Sequence, residues 1–281
     1  MGIFSGLEGL GIDLKEQDLF ADKSKEPKIS PEQQRLEEMK KKEEEEKDLL
    51  IRKSYVCPCC SKNFKSLTVK ANKGRLLDQD IDLRPRYDEV DKTKYEVVMC
   101  PECGYAARVQ IFNELSEKQA KLVREKISQS FKSKTEDPDI YTYDESIMRY
   151  QMALANAMVR GLKSSEKAFL CLKMAWVIRG KKEHENFPAD SPEVKKTEEM
   201  EQELLKNALE GFAKARSSES FPMCGMDQYT VDYILAALFY ENHDYNRCLH
   251  MISELLTSQM TNPRIKEKAR NLKDLIASEK K

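Results

Sequence analysis

Two copies of one short cysteine pattern constrain this chain more than any other feature. Residues 55–64 read YVCPCCSKNF and residues 98–107 read VMCPECGYAA, so each segment contains the pattern Cys-Pro-x-Cys. Two such pairs on tight turns can present four thiolates to a single tetrahedral metal ion. The pattern therefore predicts a metal site. The predicted ligands are Cys57, Cys60, Cys100 and Cys103.

The first pair contains an extra thiol, Cys59, so its ligands have to be chosen. Aligning the two segments through their shared proline places Cys59 opposite Glu102, and Cys59 is then predicted to be a bystander. Gly104 suits the turn after the second pair because glycine tolerates a positive φ. Ser61 occupies the same place after the first pair, where a positive φ is less favourable for serine than for glycine.

Four thiolates close the coordination sphere of a metal ion and leave no position for a reactive water. The site is therefore predicted to be structural. Zinc is the expected metal, and iron is the second choice because rubredoxin-like sites use the same paired spacing. The histidines His184, His243 and His250 all lie in the later half of the chain and are not expected to be ligands.

The segment between the cysteine pairs, LLDQDIDLRPRYDEVD at 76–91, is rich in aspartate. Four acids match positions 1, 3, 5 and 12 of a calcium-binding loop. These are Asp78, Asp80, Asp82 and Glu89. Leu83 stands where that loop needs glycine, so ion pairing with Arg84 and Arg86 is favoured over calcium.

Changes in composition divide the chain into four parts. We expect a flexible tail at 1–29, a charged helix or linker at 30–52, a cysteine metal-binding module with a trailing helix at 53–130, and a helical domain at 144–281. Within the module, FKSLTVK and KYEVVMC have strand-like patterns. Ser116 and Gln119 form a capping box at the start of the trailing helix.

Residues 144–281 are predicted to form six helices with short connections. The first two are expected to end at Gly161 and Gly180, because glycine commonly follows a helix. The penultimate pair has the pattern of a tetratricopeptide repeat, with His243 at the usual glycine of the turn; an unrelated helical bundle is the alternative. The expected fold class is α+β, mostly α, with a small β-rich zinc-ribbon-like module followed by a tetratricopeptide-like antiparallel helical array.

Charged residues make up 35% of the chain, yet the formal net charge is only -1. A dedicated nucleic-acid-binding protein would be more basic, so nucleic acid is a weak alternative as partner. No apolar run is long enough for a membrane span and no secretory signal is visible. A cytoplasmic location is therefore expected.

Three stretches of the sequence resemble a known family. These are CPCCSKNFKSLTVK, DQDIDLRPRYDEVDKTKYEVVMCPECGYAA and NPRIKEKARNLKDL, and they resemble the bacterial domain of unknown function 2225 family over roughly residues 50 to 280. Ser61 and the extra Cys59 depart from the family pattern. The resemblance implies a cytoplasmic bacterial protein in which a cysteine metal site is joined to helical repeats. It implies no activity, because none is assigned to the family.

The leading hypothesis is a non-catalytic zinc-binding adaptor whose helical domain binds one or more protein partners. No phosphate-binding loop, nucleophile elbow or HExxH motif points to an enzyme. One alternative is a redox sensor that uses Cys59 or labile zinc thiolates, since Lys53, Lys62 and Lys65 could lower a thiol pKa. A weaker alternative is a nucleic-acid-binding zinc module. The sequence leaves open the partner, any small-molecule ligand and the oligomeric state.

Overall fold

The computed structural model describes residues 40–133, 138–185 and 191–279. The chain divides into two compact units, Met1–Glu45 and Glu46–Lys281, and the fold of the second is α+β and mostly α, as predicted. The expected tail at 1–29 and the first part of the expected charged helix lie outside the described residues. Residues 40–47 are helical, and the first strand already begins at Leu50.

The cysteine-containing part of the chain consists of three antiparallel hairpins. The strands pair in chain order as β1 (Leu50–Val56) with β2 (Asn63–Val69), β3 (Leu76–Gln79) with β4 (Pro85–Tyr87), and β5 (Val97–Met99) with β6 (Ala106–Arg108). The two predicted strands correspond to β2 and β5, although Lys92–Tyr95 forms a 3₁₀ turn instead of extending β5. Both Cys-Pro-x-Cys turns therefore lie at hairpin ends.

A short helix follows the third hairpin. Helix α1 spans Glu117–Val123, and the Ser116 hydroxyl and the Gln119 side chain cap its first turn reciprocally. The predicted capping box is thus confirmed. The helix continues as a π-helical turn over Arg124–Ser128.

Six helices make up the rest of the described chain, as expected from the sequence. They are α2 (Tyr143–Val159), α3 (Ser164–Glu185), α4 (Pro192–Ser218), α5 (Gln228–Glu241), α6 (Tyr245–Thr257) and α7 (Pro263–Glu279). Helix α3 is buried on almost every side and packs against both α2 and α4. It therefore forms the centre of the core.

The two glycines that were expected to stop helices behave differently. Gly161 follows α2 with a φ of +66°, so the first prediction is confirmed. The second is wrong, because α3 runs through Gly180 to Glu185. A Cβ atom at Gly180 would lie 2.7 Å from the ring of Tyr143. Glycine is present there because α2 and α3 approach closely, and not because the helix ends.

The predicted repeat-like pair corresponds to α5 and α6, which pack against each other. His243 lies in their connection and has a φ of +58°, the conformation that a glycine adopts readily. Cys248, Ile252 and Leu255 on α6 are buried, as their repeat positions require. The assignment to the tetratricopeptide class itself stays a prediction.

One face of α3 holds the three-hairpin module through polar contacts that are buried or half-buried, except at Glu183, whose side chain is 43% exposed. Glu166, Lys173, Trp176 and Glu183 lie on this face at helical spacing. Their partners in the module are Arg108 at 2.8 Å, Glu96 at 2.6 Å, Asp82 at 2.9 Å and Arg84 at 2.9 Å, respectively. The module and the helices therefore share one polar interface along nearly the whole of α3.

The aspartate-rich segment is part of this interface. Asp82 is fully buried and accepts hydrogen bonds from the indole of Trp176 and the backbone N–H of Arg84, and it pairs with Arg179 at 3.1 Å. Asp80 pairs with the guanidinium of Arg86 at 2.6 Å. These carboxylates are neutralised by arginines, which agrees with the ion-pairing reading of the segment.

None of the described helices has the length and apolar character needed to cross a bilayer.

Candidate metal centre

The two cysteine turns have the same backbone geometry. In the first, Cys57 N–H donates to the carbonyl of Lys62 (2.9 Å) and Ser61 N–H donates to the carbonyl of Cys57 (2.8 Å). In the second, Cys100 N–H donates to Tyr105 and Gly104 N–H donates to Cys100, at 2.8 and 3.0 Å. Ser61 and Gly104 both have positive φ, at 60° and 70°. Each turn thus curls its cysteines toward one point.

The four sulfurs of the two turns meet in one cluster, all within 4.8 Å of one another. The Sγ atoms of Cys57 and Cys103 are 3.6 Å apart, and those of Cys60 and Cys100 are 3.7 Å apart. A tetrahedron with metal–sulfur bonds of about 2.3 Å has edges of about 3.8 Å, whereas a disulfide would bring two sulfurs to about 2.05 Å. The spacing fits a shared ion better than a covalent bond, so the cluster could hold a metal.

The thiols of the cluster interact strongly with each other. Hydrogen bonds from Cys103 and Cys57 lower the pKa of Cys100 to about 2. The hydrogen bond to Cys100 raises the pKa of Cys57 to about 12. One thiolate is therefore stabilised by its neighbours, while several thiolates this close together would repel one another unless a cation lay between them.

Cys59 lies outside the cluster, as the alignment on proline predicted. Its side chain is 3% exposed and its Sγ is 3.8 Å from the carbonyl oxygen of Ala120 on α1. Its own carbonyl accepts a hydrogen bond from Arg124 at 3.0 Å. Burial raises the pKa of Cys59, so the expectation that nearby lysines would lower it is wrong for this residue. A protonated, covered thiol is a poor nucleophile.

Comparison with known proteins identifies the family. The sequence profile described as "Uncharacterized protein conserved in bacteria (DUF2225)" matches residues 50–276, which include all three hairpins and nearly all of the helical array. The chain belongs to the DUF2225 family. No curated protein and no solved structure matches this chain.

Aromatic side chains pack beside the cysteine cluster of this DUF2225 chain. Tyr55, Phe64, Tyr105 and Phe112 form a group in which neighbouring ring centroids are 5.1 to 6.0 Å apart. Tyr105 is fully buried and its hydroxyl donates to the carbonyl of Phe112 at 2.9 Å. Tyr95, in the 3₁₀ turn before β5, is also buried, with 5% of its surface exposed. Tyr105 and Phe112 are buried and Tyr55 and Phe64 are half-buried, so these rings form a small core beside the cysteine cluster.

The helices support the second cysteine turn directly. Asn156, which is fully buried on α2, donates from its side-chain amide to the carbonyl of Gly104 at 3.0 Å. The hydroxyl of Ser128 donates to the carbonyl of Cys103 at 2.8 Å. Sequence reasoning missed both residues. A polar residue on the apolar face of α2 was the available signal for Asn156, because a buried amide requires partners.

Proposed function

We propose that this DUF2225 chain is a non-catalytic zinc-binding adaptor, in which a structural metal centre stabilises the hairpin module and the helical array binds a protein partner. The observation that carries the proposal is the cluster of four cysteine sulfurs, all within 4.8 Å of one another. Four thiolates can also bind iron, so elemental analysis must distinguish zinc from iron. A cytoplasmic location is part of the same proposal.

The proposed metal would act as a cross-link between distant parts of the chain. Cys57 and Cys60 come from the first hairpin, and Cys100 and Cys103 come from the third. A bound ion would supply metal–sulfur bonds between these hairpins, and no open coordination position would remain for catalysis. Because Asn156 and Ser128 hold the third hairpin, the same link would extend to the helices. Loss of metal is then expected to loosen the module.

Metal content and matched cysteine substitutions test this proposal. Purified protein is expected to contain about one zinc ion per chain by elemental analysis. Cys100→Ala should lose the metal and lower the melting temperature, because three thiolates leave the site open. Cys59→Ala is the matched control, since it removes a buried thiol from outside the cluster and should keep the metal. Full thermal stability after chelation, or equal metal loss in both variants, would contradict the proposal.

Trp176 offers a second readout of the same test. It is the only tryptophan in the chain and its indole N–H donates to Asp82 across the module–helix interface. Chelation of the metal should therefore shift the fluorescence emission of Trp176 to longer wavelength as water reaches the indole. Readdition of zinc should reverse the shift. An unchanged spectrum in metal-free protein would show that the interface does not depend on the metal.

A redox-sensing role is the second candidate, and it now depends on the cluster and not on Cys59. Cys60 is half-buried, whereas the other three sulfurs of the cluster belong to buried residues. An oxidant would therefore reach Cys60 first, and oxidation of that thiolate would remove a ligand. Peroxide treatment followed by peptide mass spectrometry and a zinc-release assay tests this role. Retention of zinc with reduced Cys60 would count against it.

A further inference from the structure

A groove of about 580 Å³ runs between α2, α3 and α4, away from the cysteine cluster. Its apolar lining comes from Leu154, Met158, Cys171, Met174, Met200 and Leu204. Met158 on α2 is 66% exposed at the edge of this groove. Methionine-lined surfaces adapt their shape readily to a bound protein. The groove therefore has the character of a protein-binding surface.

Helix α4 forms one wall of the groove and carries a row of alternating charges. The row consists of Glu203, Lys206, Glu210 and Lys214, all exposed. The steps of three, four and four residues place the row on one side of the helix over three turns, a length of about 16 Å. Within the described residues, no side chain of the opposite charge lies within ion-pairing distance of any member of the row.

The order of charges in this row is complementary to its own reverse. If two α4 helices lie antiparallel with Ala208 opposite its own copy, Glu203 lies opposite Ala213 of the second copy, one residue (about 1.5 Å along the axis) from Lys214, which its side chain can reach. Lys206 then faces Glu210 of the second copy. Two-fold symmetry repeats both contacts, so the row makes four attractive pairs and no repulsive one. A surface that binds a partner of a single charge would not carry this balanced pattern.

We propose that a second copy of this chain covers the groove, with the two α4 helices antiparallel about a two-fold axis at the level of Ala208. Each copy then covers the other's exposed Met158 and the apolar floor beside α4. Charge complementarity selects this occupant, because the groove is apolar along its floor and the charged row of α4 beside it is self-complementary. The inference is independent of the metal centre and of the adaptor role.

Sedimentation velocity on the full chain tests the proposal. The wild-type protein should sediment as a species of twice the 32.6 kDa chain mass, with dissociation on dilution. Lys214→Glu and Glu203→Lys each place like charges opposite one another twice, and each should raise the dissociation constant about tenfold or more. Met158→Asp should also weaken the dimer, because it places a charge where apolar surface is buried.

Charge reversal provides the decisive control. The double variant Glu203→Lys/Lys214→Glu should dimerise like the wild type, and an equimolar mixture of the two single variants should form a heterodimer. Lys273→Glu makes the same charge change at an exposed position on α7 and should leave the dimer unchanged. A monomeric wild-type protein overturns the proposal and leaves the groove free for another partner. A dimer that the single variants do not weaken also overturns the proposal. Failure of the double variant to restore dimerisation overturns it as well.

Discussion

Ser61 and Gly104 occupy equivalent places in the two cysteine turns and share a left-handed backbone conformation. That conformation costs an ordinary residue about 1–2 kcal/mol, but glycine adopts it without strain. Ser61 is therefore a strained residue next to the candidate metal centre. The strain could be anticipated from sequence, because the second turn has glycine at the matching position.

Ser61→Gly is expected to raise the free energy of unfolding by about 0.5–1 kcal/mol. Relief of backbone strain exceeds the entropy that glycine adds to the unfolded chain, which is about 0.4–1 kcal/mol. Urea unfolding of the metal-loaded protein measures the difference. Ser61→Ala is the control and should give no such gain, because a positive φ is as unfavourable for alanine as for serine.

The converse substitution, Gly104→Ala, is expected to be strongly destabilising. Besides the positive φ of 70°, an added Cβ would lie 2.6 Å from the ring of Phe131. The sequence indicated the need for a positive φ at this position. It did not indicate the ring, because Phe131 comes from a segment 27 residues further along the chain. Contacts of this kind are set by the tertiary structure alone.

At the level of the helices, the close packing of α3 and α4 depends on one small residue. Gly211 lies inside α4, and a Cβ atom there would be 2.8 Å from Cβ of Ala168 on α3. The obstructing atoms are the side-chain and main-chain carbons of Ala168, which cannot move without shifting the helix. Like Gly180, Gly211 permits close helix packing and does not end a helix.

Gly211→Ala is expected to lower the free energy of unfolding by about 1–3 kcal/mol, although alanine is the better helix former by about 1 kcal/mol. The clash with α3 outweighs the propensity gain. Thermal unfolding measures the effect, and Gly211→Ala/Ala168→Gly should recover part of the loss by removing the obstructing methyl group. A stabilised Gly211→Ala variant would show that the two helices separate easily.

For the molecule as a whole, the polar interface between the module and α3 predicts sensitivity to acid. Glu183 accepts hydrogen bonds from Arg84 at 3.1 and 2.9 Å and also binds Arg86. Burial raises the pKa of Glu183, but the hydrogen bonds from Arg86 and Arg84 outweigh it, so the pKa lies below its ordinary value of 4.5. The contribution of Glu183 to stability is therefore complete above about pH 4.5 and is lost as the pH falls through the lower, folded value.

Glu183→Gln should lower the free energy of unfolding by about 1–2 kcal/mol at neutral pH, after allowance for partial solvent exposure. The difference from wild type should shrink as the pH falls below 4.5, because wild-type Glu183 is then protonated as well. Glu267→Gln changes an exposed carboxylate that makes no ion pair within the described residues and should have little effect. A constant difference across this pH range would exclude the ion pair as its cause.

The sequence by itself determined the elements whose signals are local. The spacing of the cysteines, the proline alignment that set Cys59 apart, the capping box and the six helical segments all depend on neighbours a few residues away. The resemblance to the family likewise followed from short motifs. Each of these features corresponds to a hairpin, a turn or a helix end in the structure.

Only the tertiary structure decided how these elements meet. Asp82 accepts a hydrogen bond from Trp176, which is 94 residues further along the chain. Asn156 contacts Gly104, and Gly180 packs against Tyr143. Nothing in the local pattern of either partner specifies the other, because a buried polar group needs some partner but does not determine which one. The charged row on α4 has the same property: its pattern is local, but its position beside an apolar groove is a result of helix packing.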